Sequence, residues 1–374
     1  MRDVLPELMA WWRAGERVAM GTVVGTWRSA PRPPGTAMLV GPDRTAVGSI
    51  SAGCVESDVY ALAEEVLADR RPLLRRYGVD ETEAGAVALT CGGALDVFVE
   101  DVSPDTFPEL GRLYDDVTQG RPVAVATVVE HLDPEWVGRH LVVRPGDDSP
   151  VDGTLGSERA DAAVANDVRG LLAVGASDQL TYGPDGERRG VGMRVFAASF
   201  ASPSRLIVFG ASDFAVAVAR QGGLLGYAVT VCDARAVFAT PARFPSADEV
   251  VVDWPHRYLA TEARAGRIDA RTAICVLTHD PKFDLPLLEL ALRLPAVGYV
   301  GAMGSRTAAD RRRDQLVAAG ITEEELARLS SPIGLDLGAR TPEETAVSVA
   351  AEIISLRWGG RGRRLVNLDG RIHH

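Results

Sequence analysis

The sequence predicts an α/β protein of two domains: an amino-terminal α/β domain with a mixed sheet, residues 1–202, and a carboxyl-terminal doubly wound parallel sheet, residues 203–374. Three observations carry this. The 374 residues exceed what one hydrophobic core usually serves. From Arg205 onward, short β-branched runs alternate with helix-length stretches, as parallel strands joined by helices require. Between the halves lies Ala201-Ser202-Pro203-Ser204, a small and polar segment suited to a boundary.

Composition narrows the function. Hydrophobic residues make up 46% and charged residues 24%, ordinary for a globular protein with large cores. A formal charge of −11 argues against gripping nucleic acid or anionic lipid. No run of 18 apolar residues occurs, and Met1-Arg2-Asp3-Val4-Leu5-Pro6 is not a cationic segment leading into an apolar one, so a cytoplasmic protein is expected. Four cysteines are too few for a disulfide framework and are expected as thiols. No His and Cys cluster has metal-ligand spacing.

In the front half, Leu5–Arg13 has helical spacing, while Val18–Val24 and Ala37–Val40 have strand character. The loop between these strands, Arg28-Ser29-Ala30-Pro31-Arg32-Pro33-Pro34-Gly35, is stiffened by prolines. Arg32 is therefore either a presented anion ligand or a solvated charge. Gly48–Gly53 reads as a turn, and Cys54 opens an amphipathic stretch through Val55, Val59, Leu62, Ala63 and Val66. At a helix start, aligned peptide dipoles favour a thiolate, which makes Cys54 a candidate ligand or nucleophile; simple packing is the alternative. Cys91 precedes Gly92-Gly93 and the alternating strand Leu95–Val99. Those glycines either let the main chain approach a ligand or merely turn it. Farther on, Val123–Val129 reads as a strand and Ser157–Val174 as a helix, without a chemical constellation.

The rear half predicts strands at Leu206–Phe209, Ala228–Cys232, Val250–Val252, Ala273–Leu277 and Val297–Val300, a Rossmann-like order with a binding crevice at their carboxyl ends. Gly210-Ala211-Ser212-Asp213-Phe214-Ala215 is an imperfect dinucleotide turn: Ser212 replaces a glycine, and Asp213 is expected to cap the helix. Asp233, 23 positions after Gly210, has the spacing of a ribose-binding acid. The loop Thr278-His279-Asp280 offers His279 and Asp280 to a ligand, or to local hydrogen bonds. Gly304-Ser305-Arg306, just before a helix, suits a phosphate or carboxylate. The run Asp310-Arg311-Arg312-Arg313-Asp314 reads as a solvated helix face, and Thr341-Pro342-Glu343-Glu344 as a capping box.

Three motifs occur together and in order: Gly48-Ser49-Ile50-Ser51-Ala52-Gly53-Cys54-Val55-Glu56, Leu89-Thr90-Cys91-Gly92-Gly93 and Pro332-Ile333-Gly334-Leu335-Asp336-Leu337-Gly338-Ala339. Through them the chain resembles the XdhC/CoxI family of xanthine dehydrogenase accessory proteins, over roughly Val18–Val99 and Arg205–Leu356. The resemblance implies a chaperone that binds the molybdenum cofactor, molybdopterin, transiently and assists its sulfuration and insertion. The implied partners are a molybdenum hydroxylase of the xanthine or carbon monoxide dehydrogenase type and a cysteine desulfurase; a homodimer is expected as the default for soluble oligomers. The resemblance makes Cys54, Cys91, Gly92 and Gly93 cofactor-site candidates and the loops holding His279, Asp280, Gly304, Ser305 and Arg306 crevice candidates; Gly53, beside Cys54, and Gly210, Ser212 and Asp233, of the dinucleotide-type turn, are cofactor-binding candidates on their own residues. Ala52 stands where the family usually has glycine, and Ser212-Asp213 where Gly-His is usual. The alternative is an oxidoreductase using NAD(P) at Gly210 and Asp233.

Overall fold

The computed structural model describes residues 1–27, 32–51, 53–78, 93–146, 149–278 and 280–368. They form two compact units, one from Met1 to Ser202 and one from Pro203 onward.

The first unit is the same motif built twice. Its first half runs α1 (Leu5–Arg13), β1 (Val18–Trp27), β2 (Ala37–Val40), β3 (Ala46–Gly48), α2 (Glu56–Asp69), β4 (Leu73–Tyr77) and β5 (Ala94–Val102). The second runs α3 (Leu110–Thr118), β6 (Val123–His131), β7 (His140–Val143), β8 (Asp152–Gly153), α4 (Glu158–Val174), β9 (Asp178–Tyr182) and β10 (Met193–Phe200). The sheet orders, β3-β2-β1-β5-β4 and β8-β7-β6-β10-β9, correspond strand for strand. Even an irregularity recurs: the β1–β5 register slips between Val23 and Gly25, and the β6–β10 register slips at the matching place, between Val128 and Glu130. The α/β class holds, but every described pairing in these sheets is antiparallel, where a mixed sheet was expected. Hairpins join β1 to β2 and β6 to β7, and each helix returns the chain to the opposite edge of its sheet.

Each strand pair buries both faces. Met20, Val24 and Phe98 meet Val125, Val129 and Phe196 in a core shared by the two sheets. The outer faces are covered by helices: Val59, Leu62 and Val66 of α2 pack on Ala19, Val23 and Val97, and Val164, Val168 and Leu172 of α4 on Ala124, Val128 and Val195. Gly21 is small because α2 passes so close that a Cβ there would stand 2.9 Å from Val59 Cγ1.

The second unit comprises β11 (Arg205–Phe209), α5 (Asp213–Leu224), β12 (Ala228–Cys232), β13 (Glu249–Val251), α6 (Pro255–Arg264), β14 (Ala273–Val276), α7 (Pro281–Arg293), β15 (Tyr299–Ala302), α8 (Arg306–Ala318), α9 (Glu323–Leu326), β16 (Leu329–Ser330) and α10 (Pro342–Trp358). All its strands are parallel, in the order β13-β12-β11-β14-β15-β16. That is the doubly wound order, with its switch point between β11 and β14. One face is covered by α5 and α10 through Ala215, Val218, Val349 and Ile353, the other by α6, α7 and α8 through Leu259, Leu287, Leu288 and Leu316. The capping box expected at Thr341 forms: its side chain accepts from Glu344 N–H while the Glu344 carboxylate accepts from Thr341 N–H. No helix among the described residues is long and apolar enough to cross a membrane.

Candidate functional site

In the first unit, the register places three loops at one end of the first sheet. Trp27 pairs with Ala94 and Tyr77 with Leu95, so the β1–β2 and β4–β5 connections leave from the same end; β3 points that way too, delivering Ser49–Val55 to the start of α2. Arg32 is exposed on the first of these loops, Gly53 and Cys54 lie on the third, and Gly93 is buried where β5 begins. Cys91 and Gly92 lie outside the described residues.

The loop before α2 is organised by Glu56, to which the sequence reading gave no role. Its carboxylate accepts from the Ser49 hydroxyl at 2.7 Å and from the N–H groups of Ile50, Ser51, Gly53 and Val55 at 3.3, 2.9, 2.9 and 3.2 Å. The Ser51 hydroxyl also donates to it, and in turn accepts from Cys54 and Val55 N–H at 3.0 Å each. Partial burial would raise the Glu56 pKa, but the Ser51 and Ser49 hydroxyls and the Ser51 N–H outweigh it and bring the group down to about 2. A carboxylate bonded to this many donors folds the loop into a single shape. The helix itself begins at Glu56 with Val55 as its N-cap, so Cys54 precedes it rather than opening it. Cys54 is half-buried, its side chain partly against the α2 core; Cys232 and Cys275 are buried in the parallel sheet, where desolvation pushes Cys232 up to about 12 and raises Cys275 as well.

Beside Cys54, Gly53 has φ +113° and, among the described residues, nothing within 4 Å of where a Cβ would stand. The duplicate loop is different. There Asp161 does what Glu56 does, accepting from the Thr154 hydroxyl at 2.8 Å and Leu155 N–H at 2.7 Å. Counted from the matched carboxylates, Glu158 and Arg159, both exposed, take the places of Gly53 and Cys54, and Gly156, whose Cβ would lie 2.5 Å from the Trp136 ring, takes that of the buried Ser51. Ser157 donates to Asp185 at 2.5 Å, and Arg159, replacing the cysteine, pairs with Glu187 at 3.3 Å. One clamp thus carries a glycine and a thiol, the other two charged side chains.

In the second unit the predicted crevice residues gather at the strand carboxyl ends, but most are engaged in building the fold. Gly210 has φ +113°, and a Cβ would press within 3.0 Å of the Leu277 and Thr278 backbone. Ser212, not Asp213, caps α5, accepting from Ala215 N–H at 3.3 Å; Asp213 is exposed and pairs with Arg243. The reason is geometric: Ser212 has the extended backbone of a cap, which leaves Asp213 as the first helical residue. Asp233 is buried and accepts from Ala211 N–H at 2.9 Å and from Arg235 through its backbone N–H, Nε and Nη2 at 2.9, 2.9 and 2.7 Å. Those four donors use both oxygens fully, so the ribose-binding role has no acceptor left. Burial opposes ionisation, and the Arg235 bonds override it, holding Asp233 below the usual carboxylate range. Asp280 caps α7 and is held low by Lys282. Ser305 caps α8, and Arg306 is exposed at its first turn. His279 lies outside the described residues.

The run Asp310–Asp314 is not wholly solvated. Arg312 is buried on the inner side of α8, where Nη2 reaches Met303 O at 2.8 Å and Asp284 Oδ2 at 3.5 Å, and Nη1 donates to Ser331 Oγ at 2.9 Å. A charge-rich stretch hides this role, because a lone buried arginine inside it has no distinct spacing. The third motif is structural: Gly334 (φ +98°) donates to Glu352 at 2.9 Å and lies so close to α10 that a Cβ would stand 2.5 Å from Ser348 Oγ.

Comparison with known proteins agrees with this division. Residues 11–78 and 117–183, one segment in each half of the duplicated unit, match the model of the XdhC and CoxI family, and residues 206–353 match the XdhC Rossmann domain. A Bacillus subtilis protein named as a probable xanthine dehydrogenase subunit is 26% identical over 91% of this chain and 94% of its own. The molybdenum cofactor insertion chaperone PaoD of Escherichia coli is 25% identical over 92% and 85%. A crystal structure described as a xanthine dehydrogenase of Bacillus halodurans shares the fold, with a TM-score of 0.66, 24% identity and 97% coverage of each chain. Matched by these models over well more than half its length, the chain belongs to the XdhC and CoxI family.

Proposed function

We propose that this chain is a chaperone that takes up the molybdenum cofactor as cargo, assists its sulfuration and passes it to a molybdenum hydroxylase of the xanthine or carbon monoxide dehydrogenase type. A cysteine desulfurase would be the sulfur source, and the working form would be a homodimer. In this reading residues 1–202 form the cargo-binding domain. The observation that carries it is the loop before α2: Glu56 gathers Ser49, Ser51, Gly53 and Val55 onto its carboxylate and the half-buried Cys54 stands beside the exposed Gly53, while the matching places in the second half hold Glu158 and Arg159. A half-buried thiol beside an exposed glycine suits a sulfur-rich guest. The name carried by PaoD supports the same class of cargo.

The test is retention. Purified chain is mixed with molybdopterin cofactor, passed through gel filtration, and assayed for molybdenum and pterin. Co-elution near one equivalent, lost in Cys54→Ser without a change in melting temperature, is expected; cargo that never co-elutes with the wild type overturns the reading.

A further inference from the structure

A cavity of about 170 Å³ lies in the second unit beside the Gly304-Ser305-Arg306 loop. It lies beyond the carboxyl ends of β14 and β15, between the start of α7 and the inner side of α8, with Met303 and Gly304 at one wall and Leu285 at another. Its charged groups are Asp284, Arg311 and Arg312, two positive against one negative.

Arg312 is the centre. Its side chain is 9% exposed and that of Asp284 6%, so the guanidinium is fixed beside its counter-charge. Thr278 donates to the other Asp284 oxygen, which anchors the acid from β14's end. Bonds to Met303 O, Asp284 and Ser331 use three of the five guanidinium N–H groups; among the described residues the other two have no protein acceptor. Gly304 keeps the group accessible, since a Cβ there would sit 3.5 Å from Nη2 and 3.6 Å from Nη1. Arg311, exposed on the next position of α8, adds a second cation at the rim. A preset arginine with unused donors, a net positive lining and room for only a few non-hydrogen atoms select a small, doubly charged oxyanion.

We propose that this cavity binds a tetrahedral oxyanion of the phosphate type, either free or as the terminal phosphate of a larger molecule. Its lining residues all belong to the second unit and Cys54 to the first, so either proposal can fail alone.

The test uses the full chain in buffer free of phosphate and sulfate, titrated calorimetrically with inorganic phosphate and, in a second arm, with ribose 5-phosphate. Saturable binding at one site is expected, weakened by salt. Arg311→Ala, at the rim, and Gly304→Ala, which fills the approach to the guanidinium, should each weaken it about tenfold or more while the melting temperature stays put. Cys54→Ser should bind as the wild type does. Tighter binding of the ester than of inorganic phosphate identifies the terminal phosphate of a larger ligand, and the reverse identifies the free ion. Absence of binding in both arms, or equal affinity in wild type and both cavity variants, overturns the proposal.

Discussion

Glu56 and Asp161 stand 105 positions apart and hold equivalent places in the two halves of the first unit, each drawing the loop before its helix onto its own carboxylate. The same offset relates Tyr77 to Tyr182, each a buried ring at the end of a strand whose hydroxyl donates to a helix aspartate, Asp58 at 2.6 Å and Asp167 at 3.0 Å. One carboxylate serves a loop that carries a thiol and the other a loop that does not, so the pair separates the structural use of the clamp from its proposed use in a site.

Glu56→Gln replaces an anion that accepts at both oxygens with an amide that accepts at one. We expect a loss of about 1–3 kcal/mol in urea unfolding at pH 7. Because the folded-state pKa is depressed from 4.5 to about 2, the stabilisation is complete above pH 4.5 and fades as pH falls towards 2. The gap between variant and wild type should therefore narrow from pH 7 to pH 3; a constant gap would show that the charge is not what holds the loop.

Asp161→Asn should cost stability in the same way and leave cofactor retention at the wild-type level. Glu56→Gln should lower both. Equal retention in the two variants would remove the functional distinction between the loops.

Gly53→Ala and Gly210→Ala test two kinds of glycine that share a φ of +113°. At Gly53 no described residue crowds the new methyl group, so only backbone strain of about 1–3 kcal/mol is expected. At Gly210 the same strain is joined by a clash with the Leu277 and Thr278 backbone, and denaturation should show the larger loss.

Arg312→Ala leaves Asp284 buried without its cation and should cost about 3–5 kcal/mol. Changing both, as Arg312→Met with Asp284→Leu, should recover much of it. If thermal melts show the single variant within about 0.5 kcal/mol of wild type, as an ordinary surface substitution would be, the pair is not the support described here.

Local chemistry was legible. Leu5–Arg13 is a helix with the bounds that its spacing predicts, the Thr341 capping box forms, and the alternation after Arg205 yields the parallel sheet, with β15 starting two residues later than expected. The duplication was also written in the chain, in Val18-Ala19 and Thr22-Val23-Val24 against Val123-Ala124 and Thr127-Val128-Val129, but such β-branched runs are common to any buried strand and do not announce a repeat. At the site, Gly53 and Cys54 were legible through a motif of glycines and thiol, whereas Glu56 was not, since an acid in a helix's first turn is ordinary.

By itself, then, the sequence determined elements whose causes lie within a few residues: caps, turns, strand runs and the alternation that makes a doubly wound sheet. The tertiary structure alone decided that Arg312 is interior and Arg306 exterior, that Asp233 spends its oxygens on Ala211 and Arg235, and that Trp136 lies against Gly156. Those outcomes depend on which groups meet across tens of residues, and burial and hydrogen-bond satisfaction are properties of the meeting rather than of either partner.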